Sequence, residues 1–285
     1  MILSLKGYKM DYKRVLTVQD ISCVGQCSLT VALPIISACG IEACPLPSAV
    51  LSTHTGGFKG FTFRDLTDDM PAIRAHWIKE GLYFDAIYTG YLGSVKQIGI
   101  VEDILAENGK EGALKIVDPA MADHGKLYTG FDMEFVQAMK GLCGKADYLL
   151  PNITEACFLT DTEYREDYDR EYVEALLRKL AALGCKSVIF TGICFNEGKT
   201  GVIVYKDGVT DYYEHDLLPN SCHGTGDIYA SAFTGALVRG KAPYEAAKIA
   251  ADFTVKCIES TASLPDHWYG ARFETSLGYL IDALN

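Results

Sequence analysis

Two hydrophobic rhythms take turns along the chain. Short apolar or β-branched runs end in polar or glycine-containing turns, and longer stretches with apolar residues at helical spacing follow them. Residues 14–21 read as a strand that runs into a polar loop, and 28–39 as a helix that stops at Gly40. Residues 41–46 read as a second strand, 67–79 as an amphipathic helix, 85–92 as a buried strand and 95–107 as a helix. The run 113–117 ends in Asp118-Pro119 and the run 146–150 in Pro151-Asn152. A long helix is predicted over 167–183, closed by Gly184, and a strand over 186–191. Residues 200–206 and 209–215 form a hairpin pattern around Asp207-Gly208. The last third is helical, over 226–239 and 243–260.

Strands separated by helices of this length imply parallel βαβ units with helices on both faces of one sheet. The late hairpin adds an antiparallel edge. The expected fold class is therefore α/β, three-layered, with a mostly parallel central sheet. No Pro/Ser-rich linker or repeat interrupts the pattern, so a single domain over 1–285 is expected, with 1–9 as an appendage if Met10 is the start. Polar loops at 52–66 and 121–131 are candidates to cover a site.

Composition narrows the class further. The 285 residues are 49% hydrophobic and 22% charged, enough apolar surface for a sizeable core and too much for a disordered chain. A net charge of −11 argues against nucleic acid as a partner but leaves room for a small phosphorylated ligand. The ten cysteines form no C-x-x-C pair or zinc spacing and read as reduced core thiols. The N-terminus lacks a signal-peptide cleavage pattern, and the longest apolar run, 29–38, contains Pro34 and falls short of the roughly 18 residues of a membrane span. A cytoplasmic protein with no membrane partner is the expectation.

In open α/β sheets, ligands bind beyond the carboxyl ends of the strands. Those ends carry chemistry here: Asp20, Gly90-Tyr91, Asp118, Asn152 and Thr191. Each alone is an ordinary turn or strand residue; together at one edge they point to a site. The strongest local signal is the run Asn220-Ser221-Cys222-His223-Gly224-Thr225-Gly226-Asp227, which opens a helix. Glycines admit close approach to a ligand, and a helix N-terminus offers unpaired N–H groups to an anion. Asp227 in that first turn reads either as a simple dipole-favoured cap or as a reactive acid; the Gly-Thr-Gly before it favours the second, because a cap needs no such glycines. Adjacent Cys222 and His223 point apart in an extended loop, which disfavours a nucleophilic dyad.

Gly224-Thr225-Gly226-Asp227 opening a helix resembles the phosphoryl-transfer motif of the ribokinase-like superfamily. Val18-Gln19-Asp20 through Gly25, Ser52 to Thr55, Gly90-Tyr91-Leu92-Gly93-Ser94, Val117-Asp118-Pro119 and Pro151-Asn152 with Glu155 are similar to pyridoxal kinases, so the resemblance runs from about residue 14 to 260. It implies a ribokinase-like kinase that uses ATP and Mg²⁺ to phosphorylate the hydroxymethyl group of pyridoxal, pyridoxamine or pyridoxine, and a homodimer. Asp227 would be the base, with Gly224, Thr225 and Gly226 as the anion hole. Asp118, Asn152, Glu155, Thr191, Thr225 and Gly226 would serve ATP, with Asp118 and Glu155 holding the metal. Glu155 also reads as a capping-box or solvated first-turn acid, and Thr191 as an ordinary strand residue. No Walker A sequence is present.

Asp20, Thr55, Tyr91 and Cys222 would line the acceptor pocket, and His54 would border it; His124 reads as a loop residue. Asp20 departs from the serine that pyridoxal kinases often carry there. An acid could face a pyridine nitrogen, a phenolic hydroxyl or sugar hydroxyls, which keeps kinases of hydroxymethylpyrimidine, nucleosides or sugars open as alternatives. A non-catalytic vitamer carrier is the remaining alternative.

Overall fold

The computed structural model describes residues 12–219, 222–264 and 266–285. The stretch 1–9, Met10, and the motif residues Asn220 and Ser221 lie outside the described residues. The chain runs β1 (Arg14–Val24), α1 (Leu29–Ala38), β2 (Glu42–Thr53), β3 (Phe63–Asp65), α2 (Met70–Lys79), β4 (Phe84–Thr89), α3 (Val95–Glu107) and β5 (Gly109–Val117). A small hairpin follows, β6 (Ala122–Asp123) and β7 (Lys126–Leu127), then α4 (Met133–Cys143), β8 (Tyr148–Leu149), α5 (Ile153–Leu159) and α6 (Arg170–Ala181). The remainder is β9 (Ser187–Ile193), β10 (Lys199–Lys206), β11 (Val209–Asp216), α7 (Thr225–Val238), α8 (Pro243–Ala262) and α9 (Leu277–Leu284).

The main sheet has the order β11-β10-β9-β8-β5-β4-β1-β2-β3. From β2 to β9 all pairings are parallel, as expected from the βαβ rhythm. The predicted hairpin β10–β11 is the antiparallel edge. A second antiparallel strand, β3, closes the other edge and lies inside the stretch read as a polar loop; its three residues are too few for a period to show. The loop 121–131 likewise contains the β6–β7 hairpin. Helices α3, α4 and α6 start where a side-chain oxygen of Ser94, Asp132 or Asp169 accepts the N–H three residues on.

Two apolar layers flank the sheet. Ile35, Phe233, Ala236, Ala250 and Phe253 pack from α1, α7 and α8 on one face. Ile98, Val101, Val136, Met139, Leu176 and Leu180 pack from α3, α4 and α6 on the other. Helix α7 is buried on every side from Ile228 onward, so its register, and with it the position of its N-terminus, is set by packing. All ten cysteines are free, with Cys39, Cys143, Cys157, Cys185 and Cys257 buried, in keeping with core thiols. Among the described residues no helix is long and apolar enough to cross a membrane.

Strand β1 pairs with β4 only from Val15 to Val18 but continues along β2 to Val24. Its two neighbours are reached by connections that leave in opposite directions, so the end of β1 beside β4 is the switch point of the sheet. The register with β2 slips between Gln19 and Ile21, a bulge that re-aims Asp20.

Candidate active site

The N-terminus of α7 meets the end of β1 at this switch point. Gly224 precedes the helix in the left-handed region at φ 76°, and a Cβ there would stand 1.8 Å from the Gln26 carbonyl oxygen, so glycine is required on both counts. An added Cβ at Gly226 meets nothing within 4 Å, so the first turn of α7 opens onto free space, as an anion cradle needs. Asp227 projects from that turn, and its Oδ2 accepts the backbone N–H of Ser28 at 2.9 Å. Burial drives its carboxyl up to about 7 against the Ser28 bond, and the charge of Asp20 adds to the rise. Asp20 is itself buried and accepts the Ser22 hydroxyl at 3.0 Å; burial raises it too, while the hydroxyls of Ser28 and Ser22 favour its charged form.

A second group forms at the ends of β5 and β8. Asp118 follows β5, and its Oδ1 accepts the N–H of Ala120, a residue at φ 39°. Its carboxyl is held well above the usual range by burial and by the charges of Glu155 and Asp227, which places the three acids in one field. Asn152 and Glu155 form a capping box at α5: Asn152 Oδ1 accepts the Glu155 N–H at 2.9 Å and Glu155 Oε2 accepts the Asn152 N–H at 3.0 Å. The box is more than a helix start. Glu155 is 2% exposed, its Oε1 also accepts the Met121 N–H, and the Asn152 amide donates to the Ala122 carbonyl, so both residues clamp the 121–131 loop. Burial lifts Glu155 to about 7 despite these donors. Thr191 ties back to the same turn through its N–H and hydroxyl, both donated to the Pro151 carbonyl.

On the acceptor side, Tyr91 stacks on Phe131 of the 121–131 loop with ring centroids 5.5 Å apart, and its phenol is pushed up to about 12 by burial and by Asp20 and Asp65. Thr55 is exposed beside His54, whose Nδ1 accepts the Gly56 N–H and whose Nε2 meets the Tyr269 carbonyl at 2.6 Å. Gly25 makes room for that ring, since a Cβ there would stand 2.1 Å from His54 Cδ2. Cys222 packs against the α7–α8 core, with its thiol at the Thr261 hydroxyl, whereas the His223 ring lies at Gly56 and His54. The two side chains diverge, as expected for neighbours in an extended loop. The thiol that stands in the field of both Asp20 and Asp227 is Cys27, packed under Gly224.

Comparison with known proteins decides what this arrangement is. A family model described as phosphomethylpyrimidine kinase matches residues 33–271. A Bacteroides thetaiotaomicron protein provisionally named a phosphomethylpyrimidine kinase, solved with pyridoxal, superposes with a TM-score of 0.89 at 41% identity over 94% of this chain and 96% of that one. The chain belongs to the phosphomethylpyrimidine kinase family. Pyridoxal kinase of Lactobacillus plantarum is 31% identical, with a TM-score of 0.88, over 95% of this chain and 97% of its own. The curated pyridoxal kinase of Dictyostelium discoideum is 26% identical over 244 residues, 79% of this chain and 78% of the relative. The resemblance to pyridoxal kinases in the ribokinase-like superfamily therefore holds, and the protein is a kinase; the reading as a non-catalytic carrier falls away.

Three residues near the acids of the kinase's site had no signal in the sequence pattern. Ser28 reads as the first residue of a helix and Cys27 as one thiol of ten. Tyr128 sits in the 121–131 loop, 41% exposed, and its phenol is pushed up by partial burial of its ring and by the charges of Glu155, Asp123, Asp118 and Asp227. Folding brings each beside the acids from a distance in sequence.

The crowded carboxyls carry a stability prediction. Asp227 and Glu155 both titrate at about 7 in the folded kinase, against ordinary values of 3.8 and 4.5. Between those limits the folded state keeps protons that the unfolded chain has released, so stability is lost as the pH rises through that window. Thermal melts without nucleotide are expected to give a higher Tm at about pH 5.5 than at about pH 8. A Tm that climbs between those two would show that the acids are solvated or paired.

Proposed function

We propose that this kinase transfers the γ-phosphoryl group of ATP to the hydroxymethyl group of pyridoxal and related B6 vitamers. The observation that carries the reading is the buried Asp20 beside Tyr91 at the mouth of the β1–β4 crevice, with Asp227 within its field. A flat heteroaromatic alcohol fits between an aromatic wall and an acid that receives a ring nitrogen or phenolic hydroxyl, and its hydroxymethyl group then faces Asp227. Likeness to a protein solved with pyridoxal supports the same choice.

In this reading Asp227 takes the hydroxyl proton as the oxygen attacks phosphorus, a role that asks for little basicity because bond-making is loose. The N–H groups of Gly224, Thr225 and Gly226 and the dipole of α7 receive the charge that spreads over the phosphoryl oxygens. Asn152 and Thr191 border the nucleotide, and Thr55 and Cys222 the acceptor. Among the described residues no three His, Cys, Asp or Glu side chains gather as a metal cage. Mg²⁺ needs only one or two carboxylates together with substrate phosphates; Asp118 and Glu155 are the acids proposed for it, with Asp118 the one that would hold it directly and Glu155, whose oxygens accept the Met121 and Asn152 N–H groups, adding its charge to the same field. When bound, the ion neutralises charge on the phosphates. A single domain and a homodimer in the cytoplasm are parts of the same proposal and rest on the family resemblance and on composition.

The second reading, phosphorylation of hydroxymethylpyrimidine, is favoured by the description of the family model that matches. An assay of ADP release with each alcohol separates the two. Pyridoxal, pyridoxamine or pyridoxine is expected to give kcat/KM at least about tenfold above hydroxymethylpyrimidine, ribose or a nucleoside, a difference of about 1.4 kcal/mol. The reverse order would overturn the acceptor assignment while leaving a kinase.

A further inference from the structure

The backbone of Ser28 is held in a conformation that its side chain disfavours. At φ 56° and ψ −131° it lies outside the ordinary left-handed well, in a region that glycine takes readily and other residues rarely. Its place in the fold explains how it is kept there. Ser28 bridges back to Ile21, next to Asp20 on β1, and its carbonyl accepts the N–H groups of Val31 and Ala32 at the start of α1. The Thr30 hydroxyl donates to the carbonyls of Gly25 and Cys27, closing the loop before it. Ser28 is also 5% exposed, so it cannot relax toward solvent.

Its polar groups are used unusually. Ser28 occupies the N-cap position of α1, where a serine oxygen normally accepts a helix N–H, yet it makes no such bond. The Asp20 carboxylate nearby takes its hydroxyl hydrogen bond from Ser22, at 3.0 Å. The N–H of Ser28, turned by the strained φ and ψ, donates to Asp227 Oδ2. One residue thus bridges to β1 beside Asp20 and bonds the acid at the start of α7, 199 positions away.

We propose that Ser28 is a positioning residue for phosphoryl transfer: its strained backbone aims an N–H that fixes the Asp227 carboxylate. The proposal rests on the reading of Asp227 as the base. Strain is retained at functional sites where the surroundings over-determine it, and here it serves orientation. A base that is free to swing loses turnover without losing substrate affinity, because the attacking oxygen must be met at one angle.

Two variants test this, measured with the better acceptor from the screen above. Ser28→Gly removes the strain and the hydroxyl and frees the backbone. Its Tm is expected to equal or exceed that of the wild type, while kcat falls between about 10- and 100-fold and the KM for ATP stays within about twofold. Ser28→Ala retains a Cβ, and with it the conformational restriction of the wild type, but loses the hydroxyl. It is expected to turn over clearly faster than the glycine variant, since the N–H to Asp227 and its aim are retained. A Ser28→Gly enzyme with wild-type kcat would overturn the proposal. So would a parallel fall in Tm and kcat, the mark of a structural role, or a Ser28→Ala enzyme as slow as the glycine variant. These outcomes are separable from failure of the base assignment, which is read from Asp227 alone.

Discussion

Asp227→Asn lowers kcat by about 10²–10⁴-fold while the affinity for ATP stays within about threefold. The substitution is nearly isosteric, and the amide oxygen can still accept the Ser28 N–H that Asp227 accepts at 2.9 Å, so the loop and the start of α7 keep their places. What is removed is the capacity to take a proton. Burial and the charge of Asp20 leave the carboxyl at about 7, close to working pH, where a base combines adequate basicity with a useful deprotonated fraction. The wild-type kcat/KM should accordingly fall as the pH drops below that value, because an Asp227 that already carries a proton cannot take the one from the substrate hydroxyl. Single-turnover measurements and a nucleotide-binding titration check the two halves of the expectation. Near-normal turnover in Asp227→Asn would remove the base from the mechanism.

Chelation of divalent cations by EDTA is expected to reduce turnover at least about 10³-fold, with recovery on adding Mg²⁺. The reason lies in the charge balance of the site. Glu155 is buried, Asp118 and Asp227 are half-buried, and the charges of Glu155 and Asp227 both raise Asp118. Among the described residues no ion pair includes any of the three. A polyanionic nucleotide brought beside these acids without a countercharge would be repelled, and backbone N–H groups at α7 supply only a partial charge. Asp118→Asn should raise the Mg²⁺ concentration needed for half-maximal rate, whereas a change confined to the acceptor KM would place Asp118 elsewhere in the site. Full activity in EDTA would contradict the assignment of both carboxylates.

The parts of the fold that were legible are those where one face or one whole element is apolar over many residues. Helix α3 is observed over the predicted span, and β5, β9, α7 and α8 are found with ends displaced by a few residues. Strand β2 runs on past the predicted end at Leu46 through Pro47 to Thr53. On the β3 side it pairs only at Ala49–Leu51, so Pro45 and Pro47 lie at an open edge where a missing N–H costs little. Strand β8 is shorter than its apolar run, pairing only at Tyr148 and Leu149, and α6 starts at Arg170 because Asp169 caps it. Helices α4, α5 and α9 were not predicted as elements, although Asp132 and Asn152 are cap residues at the starts of the first two. Helices α5 and α9, with seven and eight residues, carry too few turns for an apolar stripe to stand out, whereas α4 is no shorter than α1 and its stripe of Phe135, Val136, Met139 and Leu142 was there to be read.

The candidate site divides along the same line. Glycine at 224, an acid in the first turn of α7 and acids or amides at strand ends are local features, and a residue's type and its place relative to an element boundary suffice to mark them. The α/β class and the kinase family follow from such features, because backbone geometry at a turn constrains residue type directly. Tertiary structure alone decided that Glu155 is a buried clamp on the 121–131 loop, that Cys27 stands in the field of Asp20 and Asp227, that Tyr128 stands in the field of the acids, and that Ser28 joins residues from the two ends of the chain. Burial, through-space charge and a bond between residues 199 positions apart depend on which surfaces meet when the helices close over the sheet, and no local pattern encodes that meeting.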